Sequence, residues 1–494
     1  MGTLEKKMAN ATKWSSMAEM ASKLVSPIVN MILARVLTPS AFGVVATINI
    51  IITFAEIFQD AGFQKYLIQH KFLSEDEFEQ SANVAFWTNF GFSFIIWILI
   101  CVFKQPLSYL VNNTNDLGLE IAIASVSLPV FAFSSIQIAI CKRKFNFRKL
   151  FWVRLITSVI PLLITVPLAL AFRNHWALII GTIFRNVVQS VVLFKGGWVP
   201  KMKYSVLRLR KMLSFCVWTL AESVTIWLTA NMSTFVVTRT LGVDAVGFFK
   251  TSISTVTSII GIISAATVPV LFTSLSRVQD DDERFEKIFT DYQKIVGLLV
   301  IPLGTGMLLY RDLLTDILLG SQWTMCMDFV GMYAFVCSLA IITNSFFSEY
   351  YRAKGNPRIS MIAQLIYLSI LTPATYFSSM VGFTSLCIVT CIMVLVFTLV
   401  HFIILKLVFR ANIVKMLKNI SLILIPTSIM AIFAMVSHKV IQSVLWEIVS
   451  VGICIFIYFT VALAIKPIRV WVSDNELTFG FYSKLRKVGS KWKK

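Results

Sequence analysis

Long apolar runs alternate with short polar segments along nearly the whole chain. A helix needs about 20 apolar residues to cross about 30 Å of hydrocarbon, and many of the runs reach that length. The pattern predicts fourteen transmembrane helices, at 15–36, 41–60, 83–103, 119–140, 152–172, 176–194, 215–237, 246–274, 291–310, 329–350, 360–378, 383–405, 419–437 and 443–465.

The composition strengthens this interpretation. Of the 494 residues, 57% are hydrophobic and 14% are charged, and the mean hydropathy is +0.78. Because so few polar residues cannot cover a soluble protein of this size, we predict an all-α polytopic membrane protein. The segment Met1–Lys13 has no short apolar core followed by a small-residue cleavage site, so we predict no cleaved signal peptide.

Lysine and arginine are distributed unequally between alternate loops. If the N-terminus lies in the cytoplasm, only six of the 45 basic residues fall in outer loops and four fall inside predicted helices. The outer six are Arg35, Lys104, Arg173, Arg239, Arg311 and Lys439. Because cytoplasmic loops are enriched in Lys and Arg, we predict that both termini are cytoplasmic. The formal net charge of +20 then indicates topology and contact with anionic lipids, and we expect no nucleic acid partner.

A short motif occurs twice. The segment RVLTPSAFG begins at Arg35, and the segment RTLGVDAVG begins at Arg239. Four pairs match at an offset of 204, namely Arg35/Arg239, Leu37/Leu241, Ala41/Ala245 and Gly43/Gly247. Two further segments, KRKFNFRK from Lys142 and RAKGNPRI from Arg352, match at an offset of 210. Ordered matches in equivalent loops predict that a six-helix unit has been duplicated.

The duplication predicts the domain organisation. Because six is an even number, both copies begin on the same side of the membrane and are related by an axis along the membrane normal. We predict two six-helix lobes at 1–194 and 215–405, a basic amphipathic cytoplasmic linker at 195–214, two additional transmembrane helices at 406–465 and a basic cytoplasmic tail at 466–494. Two such lobes imply a central cleft.

The repeated corners lie between the first and second helices of each lobe. Glycine suits a backbone that turns or packs closely there, as at Gly43 and Gly247. Arg35 and Arg239 fit anchors at the outer headgroup level. Two interpretations stay open, an interfacial anchor with a turn and a gate contact between the lobes.

The first corner resembles a family signature. In ILARVLTPSAFGVVATINIIITFAEIFQDAGFQKYLIQ, an ARxLxPxxFG corner is followed by a helix and a DxGF segment from Asp60 to Phe63. This pattern resembles the polysaccharide or oligosaccharide (O-antigen type) flippases of the multidrug/oligosaccharidyl-lipid/polysaccharide exporter superfamily. The segment RAKGNPR, from Arg352, is similar to the family's loop between helices 10 and 11. In style, the colanic-acid and teichuronic-acid exporters are the most similar branch.

The resemblance implies a function. Such proteins move an oligosaccharide on an undecaprenyl pyrophosphate lipid from the inner to the outer leaflet by alternating access, for surface polysaccharide biosynthesis. They are not enzymes, and they use ion gradients or the membrane potential. The resemblance therefore implies a bacterial cytoplasmic (inner) membrane, H⁺ or Na⁺ as coupling ion, and polysaccharide polymerase machinery as a partner. The family has no sharp catalytic motif that transfers to single residues of this chain.

Four basic residues lie inside predicted helices and are the candidates for binding an anionic headgroup: Arg185, Lys23, Lys250 and Arg154. A charge in a span is costly and is typical of a functional site, and arginine suits bidentate phosphate contact. A buried pair with a neighbouring carboxylate, or a side chain that reaches the interface, is the structural alternative.

Four acids are the ion-coupling candidates: Glu19, Glu222, Glu56 and Glu349. A carboxylate in apolar surroundings can carry a coupling proton. Glu19 and Lys23 are four residues apart on one helical face and can instead neutralise each other. Glu222 is one residue from the repeat equivalent of Glu19.

Other functions are less compatible with the sequence. An ion-coupled multidrug extruder of the same superfamily would favour twelve spans and an acidic, aromatic pocket. A glycosyltransferase or polymerase needs a catalytic set of acids, and the longest outer loops, 104–118 and 311–328, are short. The eight cysteines form no CxxC pair and no GxxxxGK[ST] loop is present, so we expect no metal or cofactor.

Overall fold

A computed structural model describes residues 3–60, 62–70, 72–195, 197–440 and 443–474. Within these residues the chain is built from helices, without a strand. The α-helices are α1 (Thr3–Val36), α2 (Pro39–Asp60), α3 (Phe63–Gln69), α4 (Glu75–Val102), α5 (Lys104–Asn112), α6 (Gly118–Ala124), α7 (Ser127–Arg143), α8 (Phe147–Ile160), α9 (Val166–Phe172), α10 (Trp176–Phe194), α11 (Val206–Ser276), α12 (Asp282–Leu309), α13 (Arg311–Leu318), α14 (Met327–Ala340), α15 (Phe346–Ala353), α16 (Pro357–Val381), α17 (Phe383–Phe409), α18 (Ile413–Val440), α19 (Val444–Ala464) and α20 (Lys466–Asp474).

Thirteen helical stretches among the described residues are long and apolar enough to cross a membrane. One of them, Ser223–Ser276, has 54 residues and is about 80 Å long at 1.5 Å per residue, well over twice the hydrocarbon thickness. It is interrupted at Gly242, whose φ of 83° and ψ of −179° are not helical. The stretch therefore supplies two spans, which confirms the prediction of fourteen transmembrane helices in an all-α polytopic membrane protein.

Local sequence explains several helix ends. Ser74 accepts a hydrogen bond from the backbone N–H of Glu77 at 3.1 Å and caps α4. Asn146 caps α8 through the N–H of Lys149 at 3.3 Å, and Asp281 caps α12. Such side chains satisfy N–H groups that the helix leaves unpaired. Two spans also contain a π-helical turn, at Pro161–Thr165 between α8 and α9 and at Ile341–Ser345 between α14 and α15.

The described chain divides into two compact units. The first comprises Met1–Ile259, Leu318–Met325 and Leu368–Val389, and the second comprises Ile260–Ile317, Cys326–Tyr367 and Thr390–Lys494. This division reflects packing, and the six-helix lobes inferred from the repeat stay a prediction.

The first unit has several buried apolar clusters. One joins α2, α6, α7 and α10 through Ile48, Ile121, Leu128 and Ile179. The segment that follows α10 is tied to α4, because Trp87 Nε1 donates to the Lys201 carbonyl at 3.0 Å and the Lys201 N–H donates to Asn83 Oδ1 at 2.6 Å. The predicted amphipathic linker is therefore attached along α4 before α11 begins.

In the second unit, α12 packs against α14 and α18. Small residues permit this approach, since a β-carbon on Gly304 would lie 2.4 Å from Ser338 Oγ and one on Gly297 would lie 2.9 Å from Ile423 Cδ1. Close packing through glycine is typical of helices in a membrane, where no hydrophobic effect drives association. The first of the two additional helices is thus packed directly along α12.

Candidate functional site

The two repeated corners contact each other within the first unit. A β-carbon on Gly43 would lie 1.9 Å from the carbonyl oxygen of Val243, and one on Gly247 would lie 2.0 Å from the carbonyl oxygen of Pro39. Pro39 and Val243 are themselves separated by 204 positions, so the two contacts are equivalent under the repeat. Only glycine allows both backbones to approach this closely.

Each corner is also held by a loop of the other repeat. Trp323 Nε1 donates to the Ala34 carbonyl at 2.9 Å, and Gln322 Nε2 donates to the Leu37 carbonyl at 2.9 Å. In the other direction, the Arg239 guanidinium donates to the Leu110 carbonyl at 2.9 Å and to Asn113 Oδ1 at 2.6 Å.

The two loops are equivalent positions of the repeat. Asn113 ends α5 at a φ of 57° and Gly320 follows α13 at a φ of 98°, at an offset of 207. Both residues therefore adopt the left-handed conformation that closes a helix end. The corners and the loops that hold them therefore contact each other directly, and the anchor and gate-contact interpretations both stay predictions.

A polar cavity of about 490 Å³ lies between α1, α2, α8 and α10 in the first unit. Three polar stripes line it at helical spacing: Ser22, Ser26 and Asn30 on α1, Arg154, Thr157 and Ser158 on α8, and Thr182, Arg185 and Gln189 on α10. We call this space the arginine cavity. Its wall carries two guanidinium groups among hydroxyl and amide groups, which suits a hydrated anionic ligand.

Helix geometry explains how the arginines reach the cavity. Arg154 lies seven residues after the start of α8, and Arg185 lies nine residues before the end of α10. The π turn at Pro161–Thr165 borders the cavity, and a β-carbon on Gly181 of α10 would lie 2.1 Å from Thr165 Oγ1. The α10 backbone therefore packs tightly on this turn, and π turns in spans are frequent at functional sites.

Two acids lie beside these arginines. Arg154 forms an ion pair with Glu19 of α1, with 2.6 Å between Nη1 and Oε2. The side chains of both residues are partly exposed, at 47% and 36%. The charges of Arg185 and Glu56 of α2 interact electrostatically, although the described residues contain no direct ion pair between them. Arg185 is accessible at the cavity wall, so its guanidinium has donors available for a ligand.

The other predicted residues lie elsewhere. Lys23 is half-buried on α1 but does not line the arginine cavity, and Glu19 contacts Arg154 rather than Lys23. Lys250 donates to Thr234 Oγ1 at 3.3 Å within α11. In the second unit, Glu349 pairs with Arg352 at 2.8 Å.

The side chain of Glu222 lies outside the described residues. Four of the eight predicted residues are therefore brought together, Arg154 and Arg185 with Glu19 and Glu56 beside them.

Sequence reasoning missed the uncharged members of the site. Ser22, Ser26 and Asn30 recur at intervals of four along α1, and this period is a signal that could have found them. Thr165 and Gln189 gave a weaker signal, because only the packing of α10 on the π turn places both on the wall of one cavity. Among the described residues, no cluster of His, Cys, Asp or Glu is arranged to hold a metal ion.

A family model described as "Polysaccharide biosynthesis protein" matches residues 32–328, which include both repeated corners. The chain belongs to this polysaccharide biosynthesis protein family. It is 21% identical to the lipopolysaccharide biosynthesis protein WzxC of Escherichia coli (strain K12), over 73% of this chain and 70% of that protein. It is 22% identical to the succinoglycan biosynthesis transport protein ExoT of Rhizobium meliloti (strain 1021), over 75% of this chain and 74% of that protein. The predicted family resemblance is confirmed.

The fold of this family member is also similar to a solved structure. The lipid II flippase MurJ, in an inward closed conformation, matches with a TM-score of 0.75 at 16% identity, over 91% of this chain and 98% of that chain. At this identity the likeness concerns the fold. It agrees with an all-α, multi-pass integral membrane protein.

Proposed function

We propose that the protein moves an undecaprenyl pyrophosphate-linked oligosaccharide from the inner to the outer leaflet, for surface polysaccharide biosynthesis. The observation that carries this proposal is the arginine cavity, with Arg154 and Arg185 inside the spans. A headgroup with two phosphates cannot cross hydrocarbon unaided, because an unpaired charge there is very costly. Membership of the polysaccharide biosynthesis protein family supports the same substrate class.

We assign the pyrophosphate, rather than the whole glycan, to the arginine cavity. Its volume of about 490 Å³ falls within the range of small-molecule sites and is small for an extended oligosaccharide. The hydroxyl and amide groups beside the arginines suit the first sugar. In this assignment Arg185 makes the main phosphate contact, because Arg154 already shares its charge with Glu19.

Alternating access is the mechanism that the repeated corners support. The Lys and Arg distribution, with six of 45 in the predicted outer loops, favours cytoplasmic termini. The similarity to bacterial polysaccharide biosynthesis proteins favours a bacterial inner membrane. The corner contacts at Gly43 and Gly247 then close the outer side between α2 and α11. Movement of the headgroup to the outer leaflet requires these contacts to separate, with the two predicted six-helix lobes as the moving bodies.

Glu19 and Glu56 are our candidates for ion coupling, because each lies beside an arginine of the cavity. Uptake of H⁺ or Na⁺ at these carboxylates would neutralise their negative charge and so strengthen the attraction of the two arginines for phosphate. Glu349 pairs with Arg352 outside the arginine cavity and is a weaker candidate, and Lys23 and Lys250 are weaker candidates for phosphate contact. The protein acts as a transporter rather than an enzyme, and polymerase machinery is the expected downstream partner.

The test uses purified protein in proteoliposomes with a fluorescent undecaprenyl pyrophosphate oligosaccharide. We expect movement between leaflets with the unmodified chain and its loss with Arg185→Ala. Arg284→Ala is a matched control, since Arg284 is exposed on the first turn of α12. Unchanged movement with Arg185→Ala would contradict the site, and transport of cationic drugs without lipid movement would support a multidrug extruder instead.

A further inference from the structure

A second, smaller space adjoins the arginine cavity at one end of the first unit. It has a volume of about 300 Å³ and an apolar wall formed by Ile138, Phe147, Leu150 and Val153. Lys142 and Arg154 supply its positive charges. We call it the lysine pocket. An apolar wall with two cations suits an amphiphile that carries a hydrocarbon chain and an anionic head.

The two spaces share part of their walls. Arg154, Thr157 and Gln189 line both the lysine pocket and the arginine cavity. A ligand at Arg154 is therefore in contact with both spaces. The shared residues are all polar, so a charged group that passes this point keeps hydrogen-bonding partners.

Three basic residues, Lys142, Arg154 and Arg185, lie at increasing distance from one end of the helices that carry them. The ends of α7 at Arg143, α8 at Phe147 and α10 at Phe194 lie on the same side, because Lys149 Nζ donates to the Leu193 carbonyl at 2.6 Å. From that side Lys142 is at the helix end, Arg154 is about 10 Å along its helix and Arg185 is about 14 Å along its helix, at 1.5 Å per residue.

Lys142 is an available cation of the basic loop, and it lines the lysine pocket. Arg143 donates to the carbonyls of Leu67, Ile68 and His70, and Lys149 donates to those of Leu193 and Lys195. Those two side chains hold helix ends together. Lys142 is exposed, and it has no ion-pair partner among the described residues.

We propose that the lysine pocket is a lateral binding site for the phosphate headgroup of a membrane lipid, which then passes from Lys142 through Arg154 to Arg185. The hydrocarbon chain lies along the apolar wall while the phosphate meets Lys142. Arg154 receives the phosphate without releasing Glu19, because a guanidinium has five donors and Glu19 engages one end of it. This proposal rests on the function proposed above and adds the route by which the lipid reaches the arginine cavity.

The experiment measures lipid retention by the full chain in phosphatidylcholine nanodiscs, with native mass spectrometry after detergent release. The probes are undecaprenyl phosphate, uncharged undecaprenol and phosphatidylglycerol. We expect undecaprenyl phosphate to be retained and Lys142→Gln to lower its apparent affinity about fivefold, since a basic residue near the surface is worth about that factor for an anionic lipid. Lys144→Gln is the matched control, because Lys144 carries the same charge two residues away and only approaches the Phe78 ring at 5.9 Å.

The arms of the experiment separate the possible sources of the phosphate. If retention of undecaprenyl phosphate depends on Lys142 and phosphatidylglycerol is retained only weakly, the pocket is assigned to the transported lipid. Equal, Lys142-dependent retention of both assigns it to anionic lipids in general. Equal retention of undecaprenol, or equal affinities for Lys142→Gln and Lys144→Gln, overturns the proposal.

The leaflet-movement assay separates this proposal from the proposed function. If Arg185→Ala abolishes movement while Lys142→Gln leaves the half-saturating lipid concentration unchanged, the route is wrong and the function stands. If both variants and the unmodified chain move no lipid, the function itself is wrong. Thermal unfolding of each variant verifies that it is folded.

Discussion

Replacing Gly43 with alanine places a methyl group at the contact between the repeated corners. The new β-carbon would lie 1.9 Å from the Val243 carbonyl oxygen, whereas real β-carbons essentially never approach closer than 3.0 Å. The two backbones must therefore separate by about 1.1 Å or more. Because the obstacle is backbone rather than the end of a flexible side chain, we assign the change the cost of overpacking, about 1–3 kcal/mol.

This cost applies only while the corners are in contact, so it shifts the population toward the separated state. A central value of about 2 kcal/mol corresponds to a roughly 30-fold change in that population. Hydrogen exchange measures it directly, because amides at the corners exchange when the contact opens. We expect faster exchange in peptides that cover 36–44 and 240–248, and slower lipid movement.

The control variant is Gly91→Ala, because a β-carbon on Gly91 would meet nothing within 4 Å. Gly247→Ala is expected to act like Gly43→Ala, since its β-carbon would lie 2.0 Å from the Pro39 carbonyl oxygen. The double variant Gly43→Ala/Gly247→Ala is expected to destabilise the corner contact by less than the sum of the two single variants, because one displacement of the backbones relieves both close contacts. The reasoning would be refuted if the corner amides exchanged no faster in Gly43→Ala, Gly247→Ala and the double variant than in Gly91→Ala.

Three further predictions concern other contacts. Arg239→Ala removes two charge-assisted hydrogen bonds, to the Leu110 carbonyl and to Asn113 Oδ1. Amide exchange in residues 104–118 is therefore expected to be faster by at least the factor of about ten that one such bond provides, whereas Lys104→Ala is expected to leave that exchange unchanged. Gly304→Ala is expected to lower the free energy of unfolding by about 1–3 kcal/mol, because its β-carbon would lie 2.4 Å from Ser338 Oγ. Gly306→Ala is the control, because a β-carbon there would meet no atom within 4 Å. An equal loss of stability in both variants would contradict this reasoning. A double-mutant cycle of Glu19→Gln and Arg154→Gln is expected to give a coupling of no more than about 1 kcal/mol in unfolding, because the pair is partly exposed, and a much larger value would indicate a buried structural pair.

The arginine cavity gives these predictions a common context. Arg154 and Arg185 are retained in spans at a cost, and their partners only partly neutralise them. The polar stripes on α1, α8 and α10 would destabilise helices that faced lipid, and here they face one another. Their shared orientation is what makes the cavity a candidate site.

The amino-acid sequence by itself determined the spans and the family. Hydrocarbon thickness fixes the length of apolar helix that crosses a membrane, and every backbone group must be satisfied within that helix, so composition and run length were sufficient. The fourteen predicted helices and the flippase-type corner at Arg35–Gly43 were accordingly confirmed. The boundary between the seventh and eighth spans was predicted as a loop, and the structure reduces it to a single non-helical residue, Gly242.

Only the tertiary structure decided which distant residues meet. Helical spacing suggested that Glu19 pairs with Lys23, whereas packing of α1 on α8 brings it to Arg154, because a partner on a neighbouring helix leaves no trace in local periodicity. The repeat showed that Gly43 and Gly247 are equivalent, but not that each lies against the backbone that carries the other. Equivalence is a property of the order of residues along the chain. Contact depends on how close two backbones come, and here the absence of two β-carbons allows it.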